Sequence, residues 1–135
     1  MSTNTNQADV AGASSQETET GLDQNIAATL AYVLGPLSGI VMFLVESEND
    51  HIRFHGAQSI VVFGGLFVAS IALSFIQIIA GFSDILQLLL GAILSLLGLV
   101  LWLGGVILWV YLIVRTYQGK DPQIPVAAGI AEDLV

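Results

Sequence analysis

Three long runs without a charged side chain dominate this sequence. Residues 26–45, 54–83 and 85–114 contain no Asp, Glu, Lys or Arg, and they are 20, 30 and 30 residues long. A helix needs about 20 predominantly apolar residues to cross the hydrocarbon core of a bilayer. A helix also satisfies its own backbone hydrogen bonds there, where no water can do so. The runs therefore predict an all-α fold, an integral membrane bundle of three transmembrane helices.

The composition supports this class and excludes others. Of the 135 residues, 55% are hydrophobic and only 10% are charged, whereas soluble domains carry about 25% charged residues. Three basic residues stand against eleven acidic ones, and binding to phosphate backbones requires clustered basic groups, so we expect no nucleic-acid partner. The acidic balance is either an ordinary acidic tail or an adaptation to a high-salt cytoplasm, where a short Debye length screens self-repulsion.

The chain divides into three parts. Residues 1–22 are polar, poor in large apolar side chains and acidic, which predicts a disordered tail. Residues 23–117 form the predicted transmembrane domain, with Asp23 as the N-cap of the first span. Pro36 is expected to kink that span, because proline lacks an amide hydrogen. Residues 118–135 form a C-terminal segment at the inner face, in which prolines interrupt any helix.

Spans two and three are predicted to form an antiparallel hairpin, because only the four residues 81–84 connect them. As a single helix the third run is about 45 Å long, which exceeds the core thickness of about 30 Å. We expect one tilted helix that starts in the interface. A split of this run into two spans, giving four in total, is the alternative.

Small residues recur along the predicted helices. Such residues let helix backbones approach closely in a membrane, and a seven-residue spacing keeps them on one face. We expect them to form the contact between spans two and three, with self-association as the alternative. In the first span, internal packing is favoured over dimerisation. The predicted packing seam is Gly35, Gly39, Gly65, Ala69, Gly91, Gly98 and Gly105.

The basic residues predict the orientation. With three spans, Arg53, Arg115 and Lys120 all fall on the same side of the membrane. Cytoplasmic loops carry an excess of Lys and Arg. The sequence therefore predicts a multi-pass protein of the cell membrane with its N-terminus outside and its C-terminus in the cytoplasm.

The stretch "HIRFHGAQSI", residues 51–60, holds both histidines of the chain. If the second helix begins early, His51 and His55 share a face, and Glu48 is near enough to join them as a metal ligand. We nevertheless expect neither a metal ion nor a cofactor, because this loop offers few further ligands. His55, Gln58 and Ser59 follow at helical spacing and predict a polar patch that packs against protein. No third group orients a Ser59–His55 pair, so no catalytic residue is predicted.

The segments "RFHGAQSIVVF" and "YQGKDPQIPVAAGIAEDL" carry a resemblance to a family. They are similar to small prokaryotic membrane proteins related to the chloroplast inner-envelope import component (the Tic type). The resemblance covers residues 21–134, and it implies a small helical bundle without an established enzymatic activity. The import-channel relatives are described with four spans, against the three predicted here.

These observations predict a protein that is not an enzyme. We expect a subunit or accessory factor in the lipid bilayer that binds a protein partner or copies of itself through its helices and its inner face. The alternative is an oligomeric transport or protein translocation component. We also expect the C-terminal segment to dock near Arg53 and His55. The candidate inner-face contact patch is Arg53, Phe54, His55, Gln58, Ser59, Tyr117, Gln118, Gly119, Ile124 and Pro125.

Overall fold

The computed structural model describes residues 18–135, and this part of the chain is all-α, without a strand. Two short helices come first, two long ones follow, and a short helix ends the chain. The helices are α1 (Gln24–Val33), α2 (Pro36–Val45), α3 (Asp50–Ala80), α4 (Asp84–Tyr117) and α5 (Ala127–Leu134).

The first apolar run is broken into two helices, whereas the sequence predicted one kinked span. Gly35 has a φ of +64°, in the left-handed region that favours glycine. Pro36 is the first residue of α2, where its missing amide hydrogen costs nothing and its fixed φ suits a helix. Gly35 and Pro36 together therefore reverse the direction of the chain, where the sequence predicted only a kink.

Helices α1 and α2 form a hairpin that enters and leaves at the same end of the molecule. The buried carboxylate of Glu46, just after α2, accepts hydrogen bonds from the backbone N–H of Glu19 (2.6 Å) and of Thr20 (3.1 Å), just before α1. Each helix has ten residues, or about 15 Å, roughly half the thickness of a hydrocarbon core. The expectation of a third complete span is therefore wrong, because this run folds back on itself.

Within residues 18–135, α3 and α4 are the two helices that are long and apolar enough to cross a membrane, with 31 and 34 residues. They are joined by the predicted tight turn, and Ser83 caps α4 by accepting a hydrogen bond from the N–H of Leu86 at 3.4 Å. Helix α4 is continuous, so the four-span alternative is wrong. The predicted hairpin of the two long helices is present.

The seam residues of α4 divide between two environments. A Cβ on Gly98 would lie 3.5 Å from Leu73, and one on Gly105 would lie 3.4 Å from Leu66, so both glycines face α3. The three atoms nearest to a Cβ on Gly91 would belong to the side chain of Gln87 in its own helix. Gly65 faces open space, with nothing within 4 Å. The expected pairing of Gly65 with α4 is therefore wrong.

Helices α2 and α3 approach each other closely at a pair of glycines, Gly39 and Gly56. A Cβ on Gly39 would lie 2.8 Å from the carbonyl oxygen of Gly56, and a Cβ on Gly56 would lie 2.8 Å from the carbonyl oxygen of Gly39. Only glycine at both positions permits this backbone contact. Gly35, the other glycine of the first run, lies against Phe63 of α3.

Most polar groups collect at one end of the molecule, which we call the polar end. It contains residues 18–20, the loop between α2 and α3, and the start of the C-terminal segment, since Gly119 lies against Asn25 at the start of α1. The turn between α3 and α4 lies at the opposite end. Residues 18–22 of the predicted disordered tail are thus held by contacts, and residues 1–17 lie outside the described part. Residues 18–20 and the start of the C-terminal segment lie at the same end of the described part, whereas the sequence predicted the N-terminal region and the C-terminus on opposite sides of the membrane.

Labelling of single cysteines tests this topology. We expect cysteines at Thr20, Ser47 and Lys120 to react together with a membrane-impermeant maleimide from one side of a sealed vesicle. A cysteine at Ser83 should react only from the other side, and it serves as the control. If the cysteines at Thr20 and Ser47 reacted from opposite sides, the first run would cross the membrane completely and the described hairpin would be wrong.

Candidate functional site

A polar cluster lies where α1, α3 and the C-terminal segment meet at the polar end. It consists of Tyr32, His51, His55, Gln58 and Asp121. The side chain of Asn49 caps α3 by accepting a hydrogen bond from the N–H of Ile52 at 3.2 Å, so the helix begins at Asp50. This early start puts His51 and His55 on one face of α3, with their ring centroids 4.9 Å apart.

Gln58 attaches the C-terminal segment to α3. Its amide nitrogen donates to the carbonyl oxygen of Pro122 at 2.9 Å, and its amide oxygen accepts from the N–H of Ile124 at 2.8 Å. The same nitrogen also donates to the hydroxyl oxygen of Tyr32 at 2.8 Å. Since Gln58 is fully buried, these partners take the place of water. The expected docking of the segment beside His55 is confirmed.

The network continues from Tyr32 through His55 to Asp121, and its direction depends on which nitrogen of the His55 ring carries the proton. With the proton on Nε2, the Tyr32 hydroxyl donates to Nδ1 of His55, 2.7 Å away. In that tautomer Nε2 donates to Oδ1 of Asp121 at 3.3 Å. A chain of directed hydrogen bonds thus runs from the C-terminal backbone through α3 and α1 and back to Asp121.

One carboxylate oxygen of Asp121 contacts both histidines. Nε2 of His51 lies 3.4 Å from the Oδ1 that His55 contacts. The hydrogen bond from His55 lowers the pKa of the Asp121 carboxyl below its usual value, and the charge of His51 adds to this effect against the opposing effect of partial burial. The ligand atoms of His51, His55 and Asp121 all lie within 4.8 Å of one another, close enough to hold a metal ion.

The other patch residues have separate roles. The guanidinium of Arg53 lies over the Phe43 ring, 4.4 Å from its centroid, and 3.9 Å from Asp50. The hydroxyl of Ser59 donates to the carbonyl oxygen of Gly35 at 2.8 Å. Phe54 packs edge-on against His55. Four patch residues are exposed: Tyr117, Gln118, Gly119 and Pro125.

Side chains form hydrogen bonds with the free backbone groups at the tip of the α1–α2 hairpin. The indole N–H of Trp109 donates to the carbonyl oxygens of Tyr32 (2.8 Å) and Val33 (3.2 Å). Ser38 accepts from the N–H of Leu34 at 2.9 Å. A chain reversal at membrane depth requires such partners. No local sequence pattern marks Tyr32 or Asp121, or the role of Trp109 at this tip.

The comparisons with known proteins agree with a membrane protein. Residues 23–131 match the family described as the magnetosome magnetite crystal formation protein family. A UPF0132 membrane protein of Methanocaldococcus jannaschii is 39% identical over 116 residues, which cover 86% of this chain and 92% of that protein. A second one from the same organism is 32% identical over 112 residues, covering 83% of this chain and 70% of that protein.

A UPF0132 membrane protein of Archaeoglobus fulgidus is 45% identical over 58 residues, 43% of this chain and 56% of that protein. No solved structure matches the chain. The likeness to the chloroplast import component stays an expectation. The family match spans most of the chain, and the first relative is aligned over nearly its whole length. The chain therefore belongs to the magnetosome magnetite crystal formation protein family, a family of small prokaryotic membrane proteins.

Proposed function

We propose that this chain is a non-enzymatic accessory membrane protein that acts by assembling with copies of itself. The observation that carries the proposal is an outward-facing row of small residues on α3. Gly65, Ala69 and Ala72 are all exposed, and a Cβ on Gly65 would meet nothing within 4 Å. Their spacing of four and three residues keeps them on one face of the helix.

This row lies to one side of the residues through which α3 contacts α4. Leu66 and Leu73 face α4, and at about 100° per residue Gly65 lies about a quarter turn or more from that face. Small residues at this spacing let two membrane helices approach closely enough for extensive van der Waals contact. The row therefore supports a contact between two copies of the protein, whereas the sequence predicted that these residues contact α4 within one copy.

The orientation follows from the corrected topology. Arg53, Arg115 and Lys120 all lie towards the polar end, and the positive-inside rule assigns that end to the cytoplasm. Both the described N-terminal residues and the C-terminal segment are then cytoplasmic. The family's description, magnetite crystal formation in magnetosomes, fits a membrane protein that contributes to an assembly.

Transport is the second candidate, because paired half-helices that meet within the membrane recur in transporters, where free backbone carbonyls bind ions. At this hairpin tip, however, the carbonyl oxygens of Tyr32 and Val33 accept from Trp109, and that of Gly35 accepts from Ser59. These carbonyls already have protein partners. The tip therefore favours a closed structural element over an ion site.

Leucine substitutions on the two long helices test the assembly. We expect wild-type protein in liposomes to show self-association by energy transfer between labelled copies. Gly65→Leu and Ala69→Leu should weaken the dimer at least about tenfold, because the larger side chains separate the backbones. Gly104→Leu is the matched control, since Gly104 is also an exposed helical glycine with nothing within 4 Å. A wild-type protein that stays monomeric at every protein-to-lipid ratio would contradict the proposal.

A further inference from the structure

We propose that His51, His55 and Asp121 form a binding site for a divalent first-row transition-metal ion. Two imidazole nitrogens from α3 and one carboxylate oxygen from the C-terminal segment converge at the polar end. Two histidines and one carboxylate form a recurrent ligand set for zinc and for non-haem iron. Calcium and magnesium prefer sites built from oxygen alone, and the two imidazoles disfavour them.

The distances between the ligand atoms fit such an ion. Nε2 of His51 and Nε2 of His55 lie 3.4 Å and 3.3 Å from Oδ1 of Asp121. Two ligand atoms at about 2.0–2.1 Å from a tetrahedral zinc ion are separated by about 3.4 Å. Two of the three separations therefore match a tetrahedral ion, and the ligand atoms of the two histidines lie within 4.8 Å of each other.

The surroundings of the three residues hold one ligand rigidly and leave the site accessible. His55 is fully buried, and its ring packs against those of Tyr32 and Phe54. The side chains of His51 and Asp121 are 27% and 54% exposed, so an ion can enter from solvent. Three protein ligands leave at least one coordination position for water or another ligand.

Metal binding requires one change in the hydrogen-bond network. The ion replaces the proton on Nε2 of His55, because a coordinating nitrogen must present its lone pair. Neutral His55 then carries its proton on Nδ1 and donates it to the Tyr32 oxygen, while the Tyr32 hydroxyl proton turns away from the ring. Metal-bound histidines commonly donate their second N–H to such a partner. The ion also links α3 to the C-terminal segment through Asp121.

Zinc binding by the full-length protein tests the site. The protein is purified in mild detergent with any histidine tag removed, and it is dialysed against Zn²⁺ before the bound metal is measured by mass spectrometry. We expect about one high-affinity Zn²⁺ per chain. Asp121→Asn and His51→Ala should lower the affinity at least about tenfold, since even loss of a supporting hydrogen bond costs about 10- to 100-fold. Asp121→Asn keeps an oxygen that can accept from His55, and His51 is partly exposed, so both variants should fold.

Glu48→Gln is the matched control. It removes a negative charge from the same end of the molecule but leaves the three ligands in place. Zinc affinity should stay within about twofold of wild type in this variant, and Co²⁺ should show the visible bands of nitrogen and oxygen ligation in wild type but not in Asp121→Asn. Equal affinity in wild type, Asp121→Asn and His51→Ala would overturn the proposal. An equal loss in Glu48→Gln would also overturn it, because diffuse attraction to acidic side chains would then explain the binding.

Discussion

Replacement of Gly56 by leucine is expected to separate α2 from α3 and to destabilise the protein by about 3 kcal/mol. A Cβ at this position would lie 2.8 Å from the carbonyl oxygen of Gly39 and 3.1 Å from the backbone nitrogen of Phe43. Both obstacles are backbone atoms, which cannot move without shifting α2 as a whole. The loss is measured as a lower midpoint of unfolding, by helical circular dichroism, on titration of detergent-solubilised protein with denaturant.

Gly64→Leu is the control for this substitution. Gly64 lies in the same helix, and a Cβ there would meet nothing within 4 Å. Because leucine favours a helix over glycine, we expect Gly64→Leu to change stability by no more than about 1 kcal/mol. Similar midpoints for Gly56→Leu and Gly64→Leu would show that α2 does not pack against α3 as described.

Gly56 also illustrates what the sequence could reveal about the fold. The two long helices follow directly from the uncharged runs, because length and apolar composition are sufficient for a membrane helix. Length and apolar composition do not predict the short helices α1, α2 and α5. Pro36 predicts that the first run is not one straight helix. A proline is compatible both with a kink and with a reversal of the chain, however, so it does not distinguish the two. The left-handed backbone at Gly35 makes the reversal possible, and contacts distant in sequence, such as Glu46 with Glu19, hold the two ends of the hairpin together.

The candidate site shows the same limit. His55, Gln58 and Ser59 could be grouped from sequence because they lie on one helix at spacings of three and one residues. Asp121 and Tyr32 could not, since 66 residues separate Asp121 from His55 and 23 separate Tyr32 from it. From the sequence, Glu48 is the acidic residue near enough to join the two histidines as a metal ligand. In the structure Asp121 takes that place, and the backbone N–H of Glu48 bonds instead to Glu19.

Gln58→Leu is expected to release the C-terminal segment from α3. The substitution removes three hydrogen bonds and leaves the Pro122 carbonyl and the Ile124 N–H without their protein partner. A buried polar group without a partner costs about 1–3 kcal/mol, so the docked state should lose about 3 kcal/mol. Hydrogen exchange by mass spectrometry should show protection of residues 118–135 falling by about 100-fold. Unfolding of α3 and α4 should change much less, because the described side-chain hydrogen bonds of Gln58 join it to α1 and the C-terminal segment and not to α4.

Gln77→Leu provides the matched comparison in the same helix. Gln77 makes a single bond of 3.3 Å, to the carbonyl oxygen of Leu94, towards the opposite end of α3, so exchange in residues 118–135 should match wild type. The segment is also attached by the hydrogen bond between His55 and Asp121 and by the buried alanine face of α5, formed by Ala127, Ala128 and Ala131. Unchanged protection in Gln58→Leu would mean that these two attachments hold the segment without Gln58. A selective loss in Gln58→Leu would instead make Gln58 the side chain that keeps Asp121 within reach of the two histidines.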